Sequence, residues 1–357
     1  MQASFGTLEL ARRVRRDGLL KKLSVLIDWE SLRAHLKNLY KRDETRGGGQ
    51  NPFDELMMFK AILLGQWHSL SDPKLEEALL VRLDFMDFCG LGLSDAVPDE
   101  TTLCRFRLRL MRHNRLDRLL NQVNEQLQSL GLMVQKTRGA VLDATLIESV
   151  SRPRRKIEMD VDENGDEIFH EDGSRPGVVR KVQESADPDA TWVKKGKRSY
   201  FGFRAYVTVD SEDGYVRGVH TAPANQNETK HLEHALEKAQ IDTKRLYADK
   251  GYASASNRAF LKSKKIKSGI MHRAAKHKPL TVRQKIANKL ISKVRYRVEQ
   301  CFGTLKRVFR MARASYRGLE RVNAQVLLKC IGLNLLKASH KIQLEYPITG
   351  KMRPMAG

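Results

Sequence analysis

The order of predicted strands and helices after Gly139 constrains the fold more than any other feature of this sequence. Residues 139–146 form a short β-favouring run, and the alternating segments 200–210 and 215–221 predict a β-hairpin. Downstream, helices are predicted over residues 228–240 and 254–264, and strands over 244–249 and 266–271. Two long helices are predicted over 282–310 and 321–342. This order predicts an α/β fold in which helices cover a mixed sheet.

The first 135 residues are predicted to be almost wholly helical. Apolar residues recur at the helical period over residues 54–67, and helix-start signals stand at 72–73 and 97–102. The last signal opens a basic helix with three arginines that we assign to DNA contacts: Arg105, Arg107 and Arg109. Two short helices before a basic one are typical of a helix-turn-helix unit, although an ordinary helical bundle explains the pattern equally well. We predict a helical DNA-binding or dimerisation domain over residues 1–135.

The net charge of +23 and the pI near 9.9 indicate a polyanionic partner. Residues 242–317 hold 22 Lys and Arg but only three acids, so the basic surface is predicted to lie in the C-terminal half. Residues 158–172, in contrast, hold eight acids and no Lys or Arg. They fall within 151–198, which we interpret as a charged insert or mobile loop with no assignable function.

Several classes of protein are excluded by what the sequence lacks. Its apolar runs are shorter than the ~18 residues of a membrane span, and its N-terminus has no signal-peptide hydrophobic region, so we expect a cytoplasmic protein without a membrane partner. The four cysteines lie far apart, which argues against disulfides and structural zinc. P-loop and G-x-S-x-G motifs are absent. The pair His231 and His234 is interpreted as a solvated helix face.

Three acids are predicted to converge on one crevice of the sheet. Asp143 lies in the first strand and Asp249 just past a later strand, so parallel pairing of these strands would bring both to one crevice. Glu299 lies at the edge of the apolar stripe of the long basic helix. Three carboxylates would suit two Mg²⁺ or Mn²⁺ ions, which can promote in-line phosphoryl displacement. Turn bonding by Asp143, helix capping by Asp249 and an ion pair between Glu299 and Arg295 are the alternatives.

The motifs around these acids resemble the DDE transposases of bacterial insertion sequences, most closely the insertion-sequence-five family. The resemblance is carried by VLDAT around Asp143, YADKGY around Asp249, RYRVEQCFGTLK around Glu299, VPDETTLCRFR, and TAPANQNET. It spans nearly the whole chain. One position departs from the family signature, because its tyrosine falls at Ser292, with Tyr296 nearby.

This resemblance implies an RNase H-like catalytic core over residues 136–342, followed by a tail over 343–357. It implies that Asp143, Asp249 and Glu299 are the catalytic and metal-binding residues. Arg295 and Lys306 are carried over as phosphate contacts on one helix face, and we add Lys250. The interval of 50 positions from Asp249 to Glu299 leaves no room for a large insert.

The implied function is a transposase that binds the terminal inverted repeats of its element, cuts DNA with metal ions and joins the freed 3′-hydroxyl to target DNA. Its partners are then double-stranded DNA and a second copy of the chain, since two element ends must be joined. A domesticated DNA-binding protein without catalysis and a nuclease without strand transfer are the alternatives.

Overall fold

The structure is a computed structural model of the chain. It describes residues 18–40, 51–159, 178–183, 185–344 and 352–354. Residues 160–172 of the acidic stretch and most of the predicted tail lie outside these residues. Within them, every helix is too short or too polar to cross a lipid bilayer.

The described chain is helical up to residue 129, as the sequence predicts. The helices are α1 (Leu19–Leu26), α2 (Trp29–Leu36), α3 (Glu55–His68), α4 (Asp72–Val81), α5 (Leu83–Cys89), α6 (Glu100–Leu110) and α7 (Arg115–Ser129). Asp54 caps α3 by accepting the Met57 N–H at 2.9 Å, and Asp99 caps α6 by accepting the Thr102 N–H at 2.6 Å. These caps set the first residues of both helices.

A six-stranded mixed sheet follows. Its strands are β1 (Ala140–Glu148), β4 (Thr191–Lys195), β5 (Arg198–Asp210), β6 (Val216–Pro223), β7 (Arg245–Ala248) and β8 (Lys267–Ile270). Across the sheet the order is β6-β5-β1-β7-β8, and β4 pairs with the first residues of β5. β5 is antiparallel to both β1 and β6, whereas β7 is parallel to β1 and β8 is parallel to β7. This order fits an RNase H-like core.

The predicted hairpin joins β5 to β6 through a turn that one carboxylate organises. Asp210 accepts hydrogen bonds from the N–H groups of Asp213, Gly214 and Tyr215 at 2.7 to 3.0 Å. Gly214 adopts φ of +69°, a conformation that glycine adopts at little cost. The Glu-Asp-Gly signal in the sequence therefore predicts the turn for a physical reason.

The segment interpreted as a charged insert contains ordered strands in its described part. β2 (Arg154–Met159) pairs with β3 (Val178–Gln183) in a separate two-stranded sheet, and β4 extends the main sheet. At the end of the chain, β9 (Ile342–Leu344) pairs with β10 (Met352–Pro354). β4 is thus a regular strand within residues 151–198, which we interpret as a charged insert or mobile loop, and its Thr-Trp-Val run favours extended backbone.

Helices cover both faces of the main sheet. They are α8 (Leu232–Ala239), α9 (Ala255–Ser263), α10 (Val282–Arg307) and α11 (Leu319–Ser339). One face, with Ala140 and Leu142 of β1, forms an apolar cluster with α8 and α9. The other face, with Val141, packs against α10 and α11. Because side chains alternate along a strand, Asp143 points to the same side as Val141, towards α10.

The N-terminal helices share a hydrophobic core with the sheet. Buried residues of α3 and α7, including Phe59 and Val123, belong to the same apolar cluster as Val141 of β1 and Leu328 of α11. Asn334 of α11 adds a buried polar link, because its side chain donates to the Asn124 Oδ1 at 2.8 Å and to the Val216 carbonyl at 2.8 Å. The predicted boundary at residue 135 therefore separates a helical region from a mixed α/β region, but the two regions share one hydrophobic core.

The interpretation of His231 and His234 as a solvated helix face is wrong for His231. His234 is exposed, but His231 is buried, stacks on Tyr206 at 4.4 Å between ring centroids and shares a 3.1 Å hydrogen bond with His220 of β6. The residue belongs to a 3₁₀ turn (Glu228–His231) that precedes α8, and this turn directs its ring towards the sheet.

This histidine pair predicts acid sensitivity. Burial lowers the pKa of His220 to about 4, so between pH 6.5 and 4 the unfolded chain binds more protons than the folded one. The free energy of unfolding should therefore fall as the pH decreases through this window. We expect His220→Gln to reduce this fall by about 1 kcal/mol. Urea unfolding at pH 7 and pH 5 measures it, and an identical pH dependence in the variant would contradict the assignment.

Candidate active site

Asp143 and Asp249 meet because their strands are parallel neighbours. β1 and β7 pair Ala140 with Leu246, Val141 with Tyr247 and Leu142 with Ala248. One residue further along, the same register places Asp143 beside Asp249. Both carboxylates therefore stand at the edge of the sheet where β7 ends and the chain turns away from the sheet, which is the crevice that the sequence predicts.

Arg295 bridges the two aspartates. This residue of α10 places its Nη2 2.7 Å from the Asp143 Oδ2 and its Nη1 3.6 Å from the Asp249 Oδ1. Its side chain is only 10% exposed, and its Nε is buried without a hydrogen-bond partner in the described part of the chain. The next turns of α10 bury Val298 and Phe302 against the sheet, and this packing keeps Arg295 within reach of the two aspartates. Arg295 therefore offsets one of the two negative charges of the acid pair.

The environment of Asp143 is largely desolvated. Burial raises the pKa of its carboxyl group, while the charge of Arg295 and a 2.8 Å hydrogen bond from the Ala144 N–H oppose the shift. The neighbouring charge of Asp249 raises it further. A cation between the two carboxylates would offset both the cost of burying the Asp143 charge and its repulsion from Asp249. The oxygen donors suit Mg²⁺ or Mn²⁺.

Glu299 stands apart from the aspartate pair. It lies one turn after Arg295, it is exposed, and its side chain makes no hydrogen bond or ion pair with the described residues. The alternative ion pair with Arg295 does not form, since the guanidinium is committed to the aspartates. No group of three His, Cys, Asp or Glu in the described ranges is placed to hold a metal ion. The structure brings together two of the three predicted acids.

The alternatives for the two aspartates are partly realised. The Asp249 Oδ1 accepts the Lys250 N–H at 2.7 Å and caps the 3₁₀ turn Lys250–Tyr252. The Asp143 Oδ1 makes the local bond to Ala144 already described. One oxygen of each carboxylate thus accepts a hydrogen bond from the next residue's N–H. The other oxygen of Asp143 accepts the hydrogen bond from Arg295.

The two lysines that the sequence predicts as phosphate contacts lie on different elements. Lys250 follows Asp249 directly, and Lys306 lies near the end of α10; both are exposed. Partial burial and the like charge of Lys195 lower the pKa of the Lys306 ammonium, so two lysines lie close together there. Ser292 and Tyr296 are also exposed on α10.

The three arginines of α6 have different surroundings. Arg105 is exposed, and Arg109 is half-buried with its guanidinium 5.2 Å from the Tyr40 ring centroid. Arg107, in contrast, is buried: its Nη1 and Nη2 donate to the two Asp72 carboxylate oxygens at 2.6 and 2.7 Å. A guanidinium with both ends paired is not available to DNA. The expectation that Arg107 contacts DNA is therefore corrected: its guanidinium is buried against Asp72, the first residue of α4.

This pairing predicts different effects for neighbouring arginines. Arg107→Ala should lower the free energy of unfolding by about 3 kcal/mol, because it leaves a partly buried Asp72 without its partner. Arg105→Ala should change it by less than about 0.5 kcal/mol, since that side chain is exposed. Urea unfolding followed by circular dichroism measures both. Equal losses would show that the ion pair does not stabilise the fold.

A further carboxylate, which the sequence motifs did not indicate as a site residue, lies near the aspartates. Glu228, in the NET end of the TAPANQNET motif, is mostly buried and forms an ion pair with Arg204 of β5. Burial raises its pKa against the charge of Arg204, and the charges of Asp143 and Asp249 raise it further. Its position just after β6, at the same edge of the sheet, was the signal that could have identified it.

A carboxylate within one strand and a second just past the end of its parallel neighbour, in this sheet order and beside a basic helix, fit the class of RNase H-like enzymes that break phosphodiester bonds. Comparisons with known proteins specify the class. Residues 135–335 match the family described as "Transposase DDE domain", and residues 8–109 match "Transposase domain (DUF772)". The chain belongs to the DDE transposase family. It is a DNA transposase, an enzyme that catalyses DNA cleavage and strand transfer.

One relative gives the same result at the level of sequence. The chain is 43% identical to the transposase for insertion sequence element IS1106 of Neisseria meningitidis serogroup B, over 67% of this chain and 78% of that protein. Among solved structures, the piggyBac transposase synaptic complex with hairpin DNA aligns with 93% of this chain and 76% of its own, at 12% identity and a TM-score of 0.44. The predicted resemblance to bacterial insertion-sequence transposases is confirmed by the family and by the curated relative.

Proposed function

We propose that Asp143, Asp249 and Glu299 are the catalytic residues and that they hold two Mg²⁺ or Mn²⁺ ions. DDE transposase domains are metal-dependent, and the observation that supports this site is the pair of aspartates bridged by Arg295. When bound, the ions would supply Lewis-acid stabilisation of phosphoryl transfer. Glu299 would contribute its carboxylate from the exposed side of α10, one turn beyond Arg295.

The chain's own residues have distinct tasks in this proposal. Asp143 and Asp249 provide oxygen donors at a fixed spacing, because both are anchored to paired strands. Arg295 offsets one of their two negative charges. Lys250 and Lys306 hold backbone phosphates of the DNA beside the acids, and Arg105 and Arg109 provide phosphate contacts from α6. We further propose that the substrate is the terminal inverted repeats of the element and that two copies of the chain act together on two DNA ends.

One experiment tests the catalytic assignment and the substrate together. The full-length protein is incubated with Mg²⁺ and DNA carrying the flanks of its own gene, beside Glu299→Gln, and new 3′ ends and joined products are mapped. We expect cuts at an inverted-repeat boundary and strand-transfer products that Glu299→Gln does not form. Cleavage without joined products would instead favour the nuclease alternative. Equal cleavage by both proteins would remove Glu299 from the site.

The phosphate contact of Lys306 predicts a change in salt dependence. Each cation that neutralises a duplex phosphate contributes about 0.9 to the slope of log affinity against log salt concentration. Lys306→Ala should therefore reduce that slope by about one, with sequence preference unchanged. Fluorescence anisotropy with specific and unrelated duplexes at several salt concentrations measures this. A changed preference at constant slope would show that Lys306 reads bases instead.

A further inference from the structure

Glu228 is held in place from two sides at the edge of the sheet. One oxygen of its carboxylate pairs with the guanidinium of Arg204, a residue of β5 that stands opposite Leu146 of β1. The side chains of Glu228 and Arg204 are 25% and 14% exposed, so this pair is largely shielded from water. Because β5 is paired along its length with β1, Arg204 gives the carboxylate a fixed position relative to the strand that carries Asp143.

The other oxygen of Glu228 lies against the turn that follows Asp249. A Cβ atom placed on Gly251 would lie 2.0 Å from the Glu228 Oε2 and 3.1 Å from its Cδ. The carboxylate therefore fills the space that any side chain at position 251 would need. Gly251 lies two residues after Asp249 in the 3₁₀ turn Lys250–Tyr252, so the position of Glu228 and the position of this turn depend on each other.

A second connection joins the same two segments. The Asn257 Nδ2 donates to the carbonyl of Thr229 at 3.0 Å and to the carbonyl of Tyr252 at 2.9 Å. Asn257 is 7% exposed, and Tyr252 is fully buried in the apolar cluster beneath the turn. The segment that begins at Glu228 is thus fixed to the segment that begins at Lys250 by contacts at Gly251 and Tyr252.

We propose that Glu228 is a positioning residue: held by Arg204, it fixes the turn that carries Asp249 and so sets the geometry of the two aspartates for a divalent cation. This inference rests on the proposed function, because it assumes that Asp143 and Asp249 bind the metal. It also gives a reason for glycine at position 251, where a side chain would displace the carboxylate. The negative charge of Glu228 acts in the same direction, since it adds to the attraction for a cation at the aspartates.

The test measures Mn²⁺ binding to the full-length protein without DNA, by isothermal titration calorimetry. Glu228→Gln removes the charge and keeps the shape, whereas Gly251→Ala keeps the charge and displaces the carboxylate. We expect each variant to raise the Kd for Mn²⁺ about tenfold or more, the size of effect that outer partners of metal ligands have. Affinity for Mn²⁺ equal to that of the wild-type protein in both variants would overturn the proposal.

A matched ion pair elsewhere controls for general loss of stability. Lys238 and Asp117 join α8 to α7 with a 3.2 Å contact, and their side chains are 27% and 19% exposed, similar to Arg204 and Glu228. Asp117→Asn should leave the Kd for Mn²⁺ within about twofold of the wild-type value, since the pair has no link to the aspartate turn. An increase like that of Glu228→Gln would mean that weakened packing, not positioning, changes the affinity.

A double variant tests whether the contact itself is responsible. In a Glu228→Ala background the new methyl group of Gly251→Ala has no carboxylate to displace, so it should change the Kd by less than about twofold further. Independent, multiplying effects would overturn the proposal. Asp249→Asn separates this inference from the proposed function. If that variant binds Mn²⁺ with wild-type affinity, the proposed metal site itself is rejected. If Asp249→Asn loses Mn²⁺ binding but the Glu228 and Gly251 variants do not, only the role of Glu228 is rejected.

Discussion

Asp249→Asn should reduce DNA cleavage by about 10³-fold or more, because losing a carboxylate that holds the metal removes several kcal/mol of transition-state stabilisation. The substitution preserves the shape of the side chain and the 2.7 Å hydrogen bond that its oxygen accepts from the Lys250 N–H. The turn should therefore stay folded. Rates of strand cleavage with Mg²⁺, measured on labelled DNA carrying the element ends, check this expectation.

DNA binding provides the control for Asp249→Asn. At a fixed salt concentration the variant should bind the same DNA within about twofold of the wild-type affinity, since phosphate contacts dominate binding and Asp249 makes none of them. A parallel collapse of binding and cleavage would show that Asp249 maintains the DNA-binding surface. In that case its assignment as a catalytic residue would fail.

Arg295→Ala should lower the free energy of unfolding by about 3 kcal/mol in the absence of divalent cations, because it leaves two neighbouring carboxylates without their buried partner. Asp143 is only 16% exposed, so water compensates little for the lost charge. A divalent cation placed between the aspartates replaces part of that charge. Mg²⁺ at ten times its Kd should therefore stabilise the variant by about 1 kcal/mol more than it stabilises the wild-type protein.

Urea unfolding with EDTA and with Mg²⁺ measures both effects, and Arg107→Ala is the matched control. Arg107 is also a buried arginine paired with an aspartate, but its partner Asp72 lies in α4, away from the sheet. We expect a similar loss of stability without any extra gain from Mg²⁺. The same gain in both variants would show that Mg²⁺ stabilises the fold generally, and it would argue against a cation site at Asp143 and Asp249.

Local sequence patterns predicted the elements of this fold well, because they depend on neighbours along the chain. The Glu-Asp-Gly turn, the capped start of α6 and the strands around Asp143 and Asp249 all follow from such patterns. The meeting of the two aspartates was predictable for a related reason. Both acids end or interrupt an apolar strand, and parallel pairing then places them side by side.

Pairings between distant residues could not be predicted in the same way. Whether an arginine on a helix faces DNA or a buried carboxylate depends on the element packed against it. Arg107 finds Asp72 across the interface of α6 and α4, and Arg295 finds the aspartates across the interface of α10 and the sheet. Glu228 was missed because its two contacts, Arg204 and Gly251, are separated from it by more than twenty residues in opposite directions along the chain.

The hydrophobic core that α3 and α7 share with α11 and the sheet bears on the modularity of the chain. A chain of separable modules could lose or exchange its recognition part and still keep a folded catalytic part. Here, removal of the N-terminal helices would expose the apolar surface of α11 to water, so a truncated catalytic fragment should aggregate. New properties of the chain are therefore expected to arise through substitutions on its existing surface, and not through replacement of the N-terminal region as a unit.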